Sequence, residues 1–161
     1  MRLTPYVDRY KAGIPADLPT TLIPQLKIYI ASSDMSLLSQ ALSIVALLLQ
    51  LSPAPTFPEV EREILKDIYK IAHSPLISGA PFDSVLAFFA SLVEADVQIG
   101  THIVPNLVTA VDKAPKAEAS YANVAKCVGQ VVKSQQSIAA GTIAMFTKHI
   151  KVCILHWKYH T

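Results

Sequence analysis

For its size, this sequence is short of charge. Asp, Glu, Lys and Arg make up 16% of its 161 residues, against 52% hydrophobic; an ordinary soluble domain carries roughly 25% charged residues. A self-contained globule exposes more charge than this. A slice of a longer repeat stack need not, because neighbouring repeats cover part of its surface. Glycine is scarce as well: there are five, none of them in a phosphate-cradling loop, which excludes the usual nucleotide-binding motifs. The only cysteines, Cys127 and Cys153, lie far apart on apolar helical patterns. They read as reduced, buried thiols in a cytosolic or nuclear protein. The richest apolar run, Leu37 to Leu51, is broken by Ser39, Gln40, Ser43 and Gln50 and is shorter than the roughly twenty residues a membrane span needs. It is read as a buried helix. No apolar block or small-residue cleavage site follows Arg2, so no secretory signal is visible.

Sustained period-two alternation is missing too, while apolar residues recur three and four apart almost throughout. With Gly and Pro as punctuation, the pattern predicts an all-α chain of seven helices: Thr21–Ala31, Asp34–Leu51, Pro58–His73, Pro81–Glu94, His102–Lys113, Ser120–Ser134 and Ala139–Lys151. Asp34 and Ser120 stand as N-caps, and Pro58 and Pro81 open helices just after Thr56 and Ser78. Glu59 with Arg62 and Glu63 with Lys66 form pairs three apart on a mixed-charge face that reads as solvated.

Aligned on one another, these helices fall into two families. The first holds Leu38, Leu42, Val45, Leu49, then Phe82, Leu86, Phe89, Val93, then Tyr121, Ala125, Val128, Val132, at offsets of 44 and 39 residues. The second holds Leu22, Leu26, Ile30, then Ile64, Ile68, Ala72, then Ile103, Leu107, Val111, then Thr142, Phe146, Ile150, at offsets of 42, 39 and 39. Pro24 and Pro105 occupy equivalent positions of that register, near a first turn where a missing N–H costs little. Two interleaved helix types with a period near forty residues match HEAT or armadillo repeats. The expected fold is an α-solenoid of about 3.5 helical hairpins, each burying its apolar stripe against the next. Ile68 is expected to share a core with Val45, Leu49, Leu26 and Leu107, and Leu86 and Phe89 to be fully buried in the middle repeat. The domain reading is an irregular segment over 1–19, a repeat domain over 20–151 and a divergent tail over 152–161. The first good helix belongs to the second family, so the stack begins in mid-repeat, and both terminal hairpins lack polar caps.

Chemistry is hard to find. His149, Cys153, His156 and His160 share one helical face, but a metal site wants a fixed geometry with further ligands, and a fraying tail rich in His and aromatics is the simpler reading. Ser and Cys nucleophiles have no His at a persuasive separation, and the acids sit mainly at helix starts, where the dipole accounts for them. Some HEAT-like folds excise alkylated bases, yet such a site needs aromatics and an acid on a basic face. Here the only Trp is Trp157, and no Arg follows Arg62. Net charge is only +2, and the lysines of the second half (Lys113, Lys116, Lys126, Lys133, Lys148, Lys151 and Lys158) lack interleaved aromatics, so no nucleic-acid partner is expected. No catalytic residue, cofactor or metal is expected either.

Three stretches in order carry a family resemblance: Ile30-Ala31-Ser32-Ser33-Asp34-Met35 running into Ser39-Gln40-Ala41-Leu42-Ser43-Ile44; His73-Ser74-Pro75-Leu76 before Phe88-Phe89-Ala90-Ser91-Leu92-Val93; and Ser120-Tyr121-Ala122-Asn123-Val124-Ala125-Lys126-Cys127-Val128. From Asp8 to Lys151 the chain resembles the middle-to-later HEAT repeats of the cullin-associated NEDD-dissociated (Cand) proteins. The resemblance implies a non-catalytic scaffold that binds cullins lacking their ubiquitin-like modifier and promotes exchange of substrate receptors on cullin–RING ubiquitin ligases. With about 3.5 repeats, it implies part of that grip rather than full exchange.

The second-family helices usually line the concave surface of such a solenoid, which puts Lys66, Lys70, Asn106, Lys113, Lys148 and Lys151 within reach of a protein partner, possible clients being an unmodified cullin or another protein. Rival readings are a general HEAT scaffold or adaptor and a solenoid that self-associates through uncapped ends. No membrane association is expected, and the location is cytoplasmic, nuclear or both.

Overall fold

The computed structural model describes residues 14–96, 98–111, 118–145 and 147. Among them there is no strand; the chain runs α1 (Leu18–Ile30), α2 (Met35–Leu51), α3 (Pro53–Glu63), α4 (Leu65–Ala72), α5 (Ala80–Ala95), α6 (Gly100–Val111) and α7 (Glu118–Ser134), then a 3-10 turn (Gln136–Ile138) and further helix over 139–145. The all-α expectation therefore holds for the described residues. The segment 1–13, Lys113, Phe146, Lys148, Ile150, Lys151 and the tail 152–161 lie outside them.

The helix starts follow the local chemistry, with several shifts from the sequence reading. Asp34 caps α2 as expected, its Oδ1 accepting from the backbone N–H of Ser36 at 2.8 Å and of Leu37 at 3.2 Å. The predicted helix Pro58–His73 is two helices, and the first begins five residues earlier, at Pro53. Pro53 and Pro55 sit in a first turn, where no N–H is needed, and Pro58 falls inside the helix with its ring on the exposed side. Thr56 is not a cap. It is fully buried, and its Oγ1 donates to the Ser52 carbonyl at 2.6 Å, tying the start of α3 to the end of α2.

The break between α3 and α4 falls at Ile64, whose φ of −125° departs from helical geometry. This kink re-aims the apolar stripe, so that Val60 and Ile64 above it and Leu65, Ile68 and Ala72 below it all reach the core. α1 and α6 also begin before the predicted Thr21 and His102. Pro24 and Pro105 consequently lie in the helix interior, not the first turn. The carbonyls they release, on Thr20 and Thr101, belong to exposed residues that water can reach. α5 opens behind Gly79, whose φ of +61° suits only glycine at low cost, with Pro81 in the first turn. At the start of α6, a Cβ on Gly100 would fall 2.1 Å from Gln135 Oε1, so glycine permits this close approach.

Helix pairings form two series. α5 packs on α2 through the most extensive contact in the fold, and on its other side packs on α7; α1 packs on α3, and α4 on α6. Cross-contacts of α1 with α2, α2 with α3, and α6 with α7 join the two series. One continuous core results, and it holds Leu26, Val45, Leu49, Ile68 and Leu107 together.

The sequence offsets recur in this core. At 44 residues, Leu38, Ala41, Val45, Leu48 and Leu49 of α2 correspond to Phe82, Val85, Phe89, Leu92 and Val93 of α5, and all ten are buried. At 39 residues, Val85, Phe88, Phe89 and Leu92 correspond to Val124, Cys127, Val128 and Val131 of α7, all buried too. The inward set differs in part from the expected one. Leu86 is only partly buried, and Tyr121 and Ala125 are exposed. The face α7 turns to α5 lies one step round the helix, on Val124, Cys127 and Val131.

Candidate partner-binding surface

α4 is a short amphipathic helix. With Leu65, Ile68 and Ala72 inward, the four-residue spacing of Lys66 and Lys70 sets both ammonium groups on its exposed side. Between them Tyr69 is half-buried. Its ring stacks on Phe89, with centroids 6.3 Å apart, and Phe89 meets Phe88 edge-on at 5.6 Å. The Tyr69 hydroxyl hydrogen-bonds the side chain of Asn106 on α6, which ties that exposed amide to α4. Burial pushes the Tyr69 phenol above its ordinary pKa; the bond to Asn106 pulls it back in part, and the charge of Glu61 adds to the rise.

Of the six residues expected at a partner surface, Lys66, Lys70 and Asn106 are thus on adjoining helices. Lys113, Lys148 and Lys151 lie outside the described residues. The two described lysines differ in their surroundings. Lys70 Nζ is 2.7 Å from Asp67 Oδ1, whereas Lys66 makes no ion pair among the described residues.

Beside this strip a chain of alternating charges joins α1 to α3. Arg62 pairs with Glu59 and, at 3.0 Å, with Glu63, which Lys27 of α1 reaches at 3.3 Å. The expected pair of Glu59 with Arg62 is present, but Glu63 takes Arg62 and Lys27 in place of Lys66. Its position just before the kink turns it toward α1. Hydrogen bonds from Arg62 and then Lys27 hold the Glu63 carboxyl below the ordinary carboxylate range. Glu59 is buried, so its charge leans on Arg62 rather than on water.

Two apolar faces are also exposed. On α2, Leu37, Ile44 and Leu47 stand 38%, 40% and 50% exposed along one stripe with Gln40. At the other end of the same series, Tyr121 and Ala125 of α7 are exposed with Val132 only partly covered. Tyr69, Lys27 and the α2 stripe had no part in the sequence-derived site. Tyr69 carried no signal beyond its place one residue before Lys70. Lys27 depends on the packing of α1 against α3.

Among the described residues no group of His, Cys, Asp and Glu is placed to hold a metal, and no helix is long and apolar enough to cross a membrane. The face with His149, Cys153, His156 and His160 lies outside them. No protein-family model matches the chain.

Proposed function

We propose that this chain is a stretch of HEAT-like α-solenoid that acts as a non-catalytic protein-binding scaffold, and that its client is a cullin without its ubiquitin-like modifier, in the cytoplasm or the nucleus. The observation that carries the reading is the agreement between sequence offset and burial. Positions 44 and 39 residues apart are buried together in helices that pack in series, as stacked hairpins require. A second observation joins two of the resembling stretches in space. Asn123, in one of the resembling stretches, donates from Nδ2 to the Ser74 carbonyl in another, at 3.1 Å. Two of the three stretches are thus one structural unit.

The scaffold binds through the outer side of its second series, where Lys66, Lys70 and Asn106 meet a partner of opposite charge. So few repeats present a small share of a surface whose strength normally comes from many acting together. The test is calorimetric titration against an unmodified cullin, with the modified cullin as control. Micromolar affinity that weakens with salt supports the reading. No binding at high micromolar concentration and low salt overturns the cullin assignment.

A further inference from the structure

The central helix α5 shows what each side of a first-series helix is built to meet. Gln50 of α2 donates from Nε2 to Ser91 Oγ at 3.1 Å, so the side of α5 bearing Ser91 faces α2, and Phe88, one turn before it, is fully buried. The opposite side, bearing Phe82, faces α7, where Lys126 Nζ lies 5.7 Å from the Phe82 ring centroid. The 44-residue offset carries Phe88 and Ser91 back onto Ile44 and Leu47 of α2, where both are exposed. The 39-residue offset carries Phe82, Leu86 and Val93 forward onto Tyr121, Ala125 and Val132 of α7, the exposed and partly covered face. Each flanking helix therefore presents the face that α5 buries, and the two faces are opposite halves of one packing mode. The second series adds to this at the far end. Ile143 is 66% exposed, yet its equivalents at the second-family offsets of 39, 39 and 42 residues, Val104, Leu65 and Ile23, are buried.

We propose that a second copy of this chain docks head to tail, the α7 face of one copy (Tyr121, Ala125, Val132) seating on the α2 face of the next (Leu37, Ile44, Leu47) in the register of the α2–α5 and α5–α7 contacts. It rests on the repeat reading but not on the cullin. The occupant is a copy of this chain because the two open faces continue the two internal interfaces, each supplying what the other lacks. Such a contact is heterologous: it uses two different patches, leaves a free face at each end and does not close at a dimer. The named residues of the two faces are uncharged and, Tyr121 apart, aliphatic, so the assembly depends less on salt than lysine-borne partner binding does.

The experiment is sedimentation equilibrium on the full chain, with Leu47→Glu and Ala125→Glu as variants. Both positions are exposed, so neither change fills the core, and circular dichroism checks that each variant is folded. The parent is expected to grow in mass with concentration beyond a dimer. Each variant is expected to associate at least about tenfold more weakly, because an unpaired carboxylate is buried at the contact. An equimolar mixture distinguishes the geometry. Leu47→Glu keeps a sound α7 face and Ala125→Glu a sound α2 face, so together they form a one-to-one complex that stops there. A parent that stays monomeric at high concentration overturns the proposal, as does a dimer that survives either substitution or a mixture that forms no complex. These outcomes are independent of the cullin titration, whose failure leaves this proposal standing.

Discussion

Asn123 holds Ile77 across the fold: its Nδ2 donates to the Ile77 carbonyl at 3.1 Å, and to that of Ser74 at the same distance. One amide spends both of its N–H bonds on the loop between α4 and α5, whose buried Ile77 enters the core. Replacing Asn123 by Ala leaves two carbonyls short of a donor where water has little access, at a cost of about 1–3 kcal/mol. Asp costs more, since a carboxylate cannot donate and faces two carbonyl oxygens. Urea denaturation orders the three proteins Asn, Ala, Asp in falling stability. Equal midpoints for parent and Asn123→Ala would show that the bonds contribute nothing net.

A second set of substitutions tests the α5 register. Phe89 is fully buried between Tyr69 and Phe88, so Phe89→Ala is expected to cost about 3–5 kcal/mol. Leu86 is partly covered, and Leu86→Ala is expected to cost about 1–2 kcal/mol. Leu47→Ala removes an exposed side chain and leaves the melting temperature nearly unchanged. A Leu86 variant as damaging as the Phe89 one would put α5 in the register read from sequence alone.

That register shows where sequence reading stops. In the second-family set Leu26, Ile30, Ile64, Ile68, Ala72, Ile103, Leu107 and Thr142 are buried and Leu22 is partly buried; the stripe is legible because it faces one core. In the first family the offsets were legible and the exposures were not. Periodicity reports that Tyr121 is equivalent to Phe82, but burial also needs a neighbour on that side; among the described residues, α5 packs on a first-series helix to either side, and α2 and α7 each on α5 alone. The helices begin earlier than the sequence suggests, at Pro53, Leu18 and Gly100, because proline is tolerated inside a helix as well as at its opening, as Pro24, Pro58 and Pro105 are. Of the proposed partner strip, Lys66, Lys70 and Asn106 follow from their helix family. The bond from Tyr69 to Asn106 and the ion pair of Lys27 with Glu63 appear only when the helices are packed.

Cys127 offers a chemical clock for unfolding. The thiol is fully buried, and burial pushes its pKa up to about 12. In a Cys153→Ser background, a thiol reagent at mild alkaline pH is expected to label it only as fast as the chain opens. The same shift has a sign for stability. Because the folded pKa is raised, the unfolded chain loses this proton first, so stability is full below the ordinary thiol pKa and declines as pH rises from there toward 12. The raised Tyr69 phenol acts in the same direction. Prompt labelling of the native protein, or a melting temperature that climbs through the alkaline range, contradicts the buried placement.

The partner strip makes a kinetic prediction that separates its two described lysines. Long-range steering sums charges whether or not they are paired, so Lys66→Ala and Lys70→Ala each remove one positive charge from the same field. Both are expected to slow association with an acidic partner by a similar modest factor, about twofold, which vanishes as salt shortens the Debye length below about 8 Å. Dissociation should tell them apart. Lys70 must give up a 2.7 Å bond to Asp67 before it can contact a partner, whereas Lys66 has its ammonium unengaged among the described residues. Lys66→Ala is therefore expected to raise the dissociation rate severalfold and Lys70→Ala to leave it nearly unchanged. Asn106→Ala acts differently again: it removes the hydrogen bond to the Tyr69 hydroxyl and lets the pKa of that phenol rise further, so its effect on binding comes with a shift in the tyrosine ultraviolet titration. Surface plasmon resonance of the three variants against an unmodified cullin, at low and high salt, measures both rates. Equal dissociation rates for Lys66→Ala and the parent would remove Lys66 from the interface, and with it the assignment of binding to the outer side of α4.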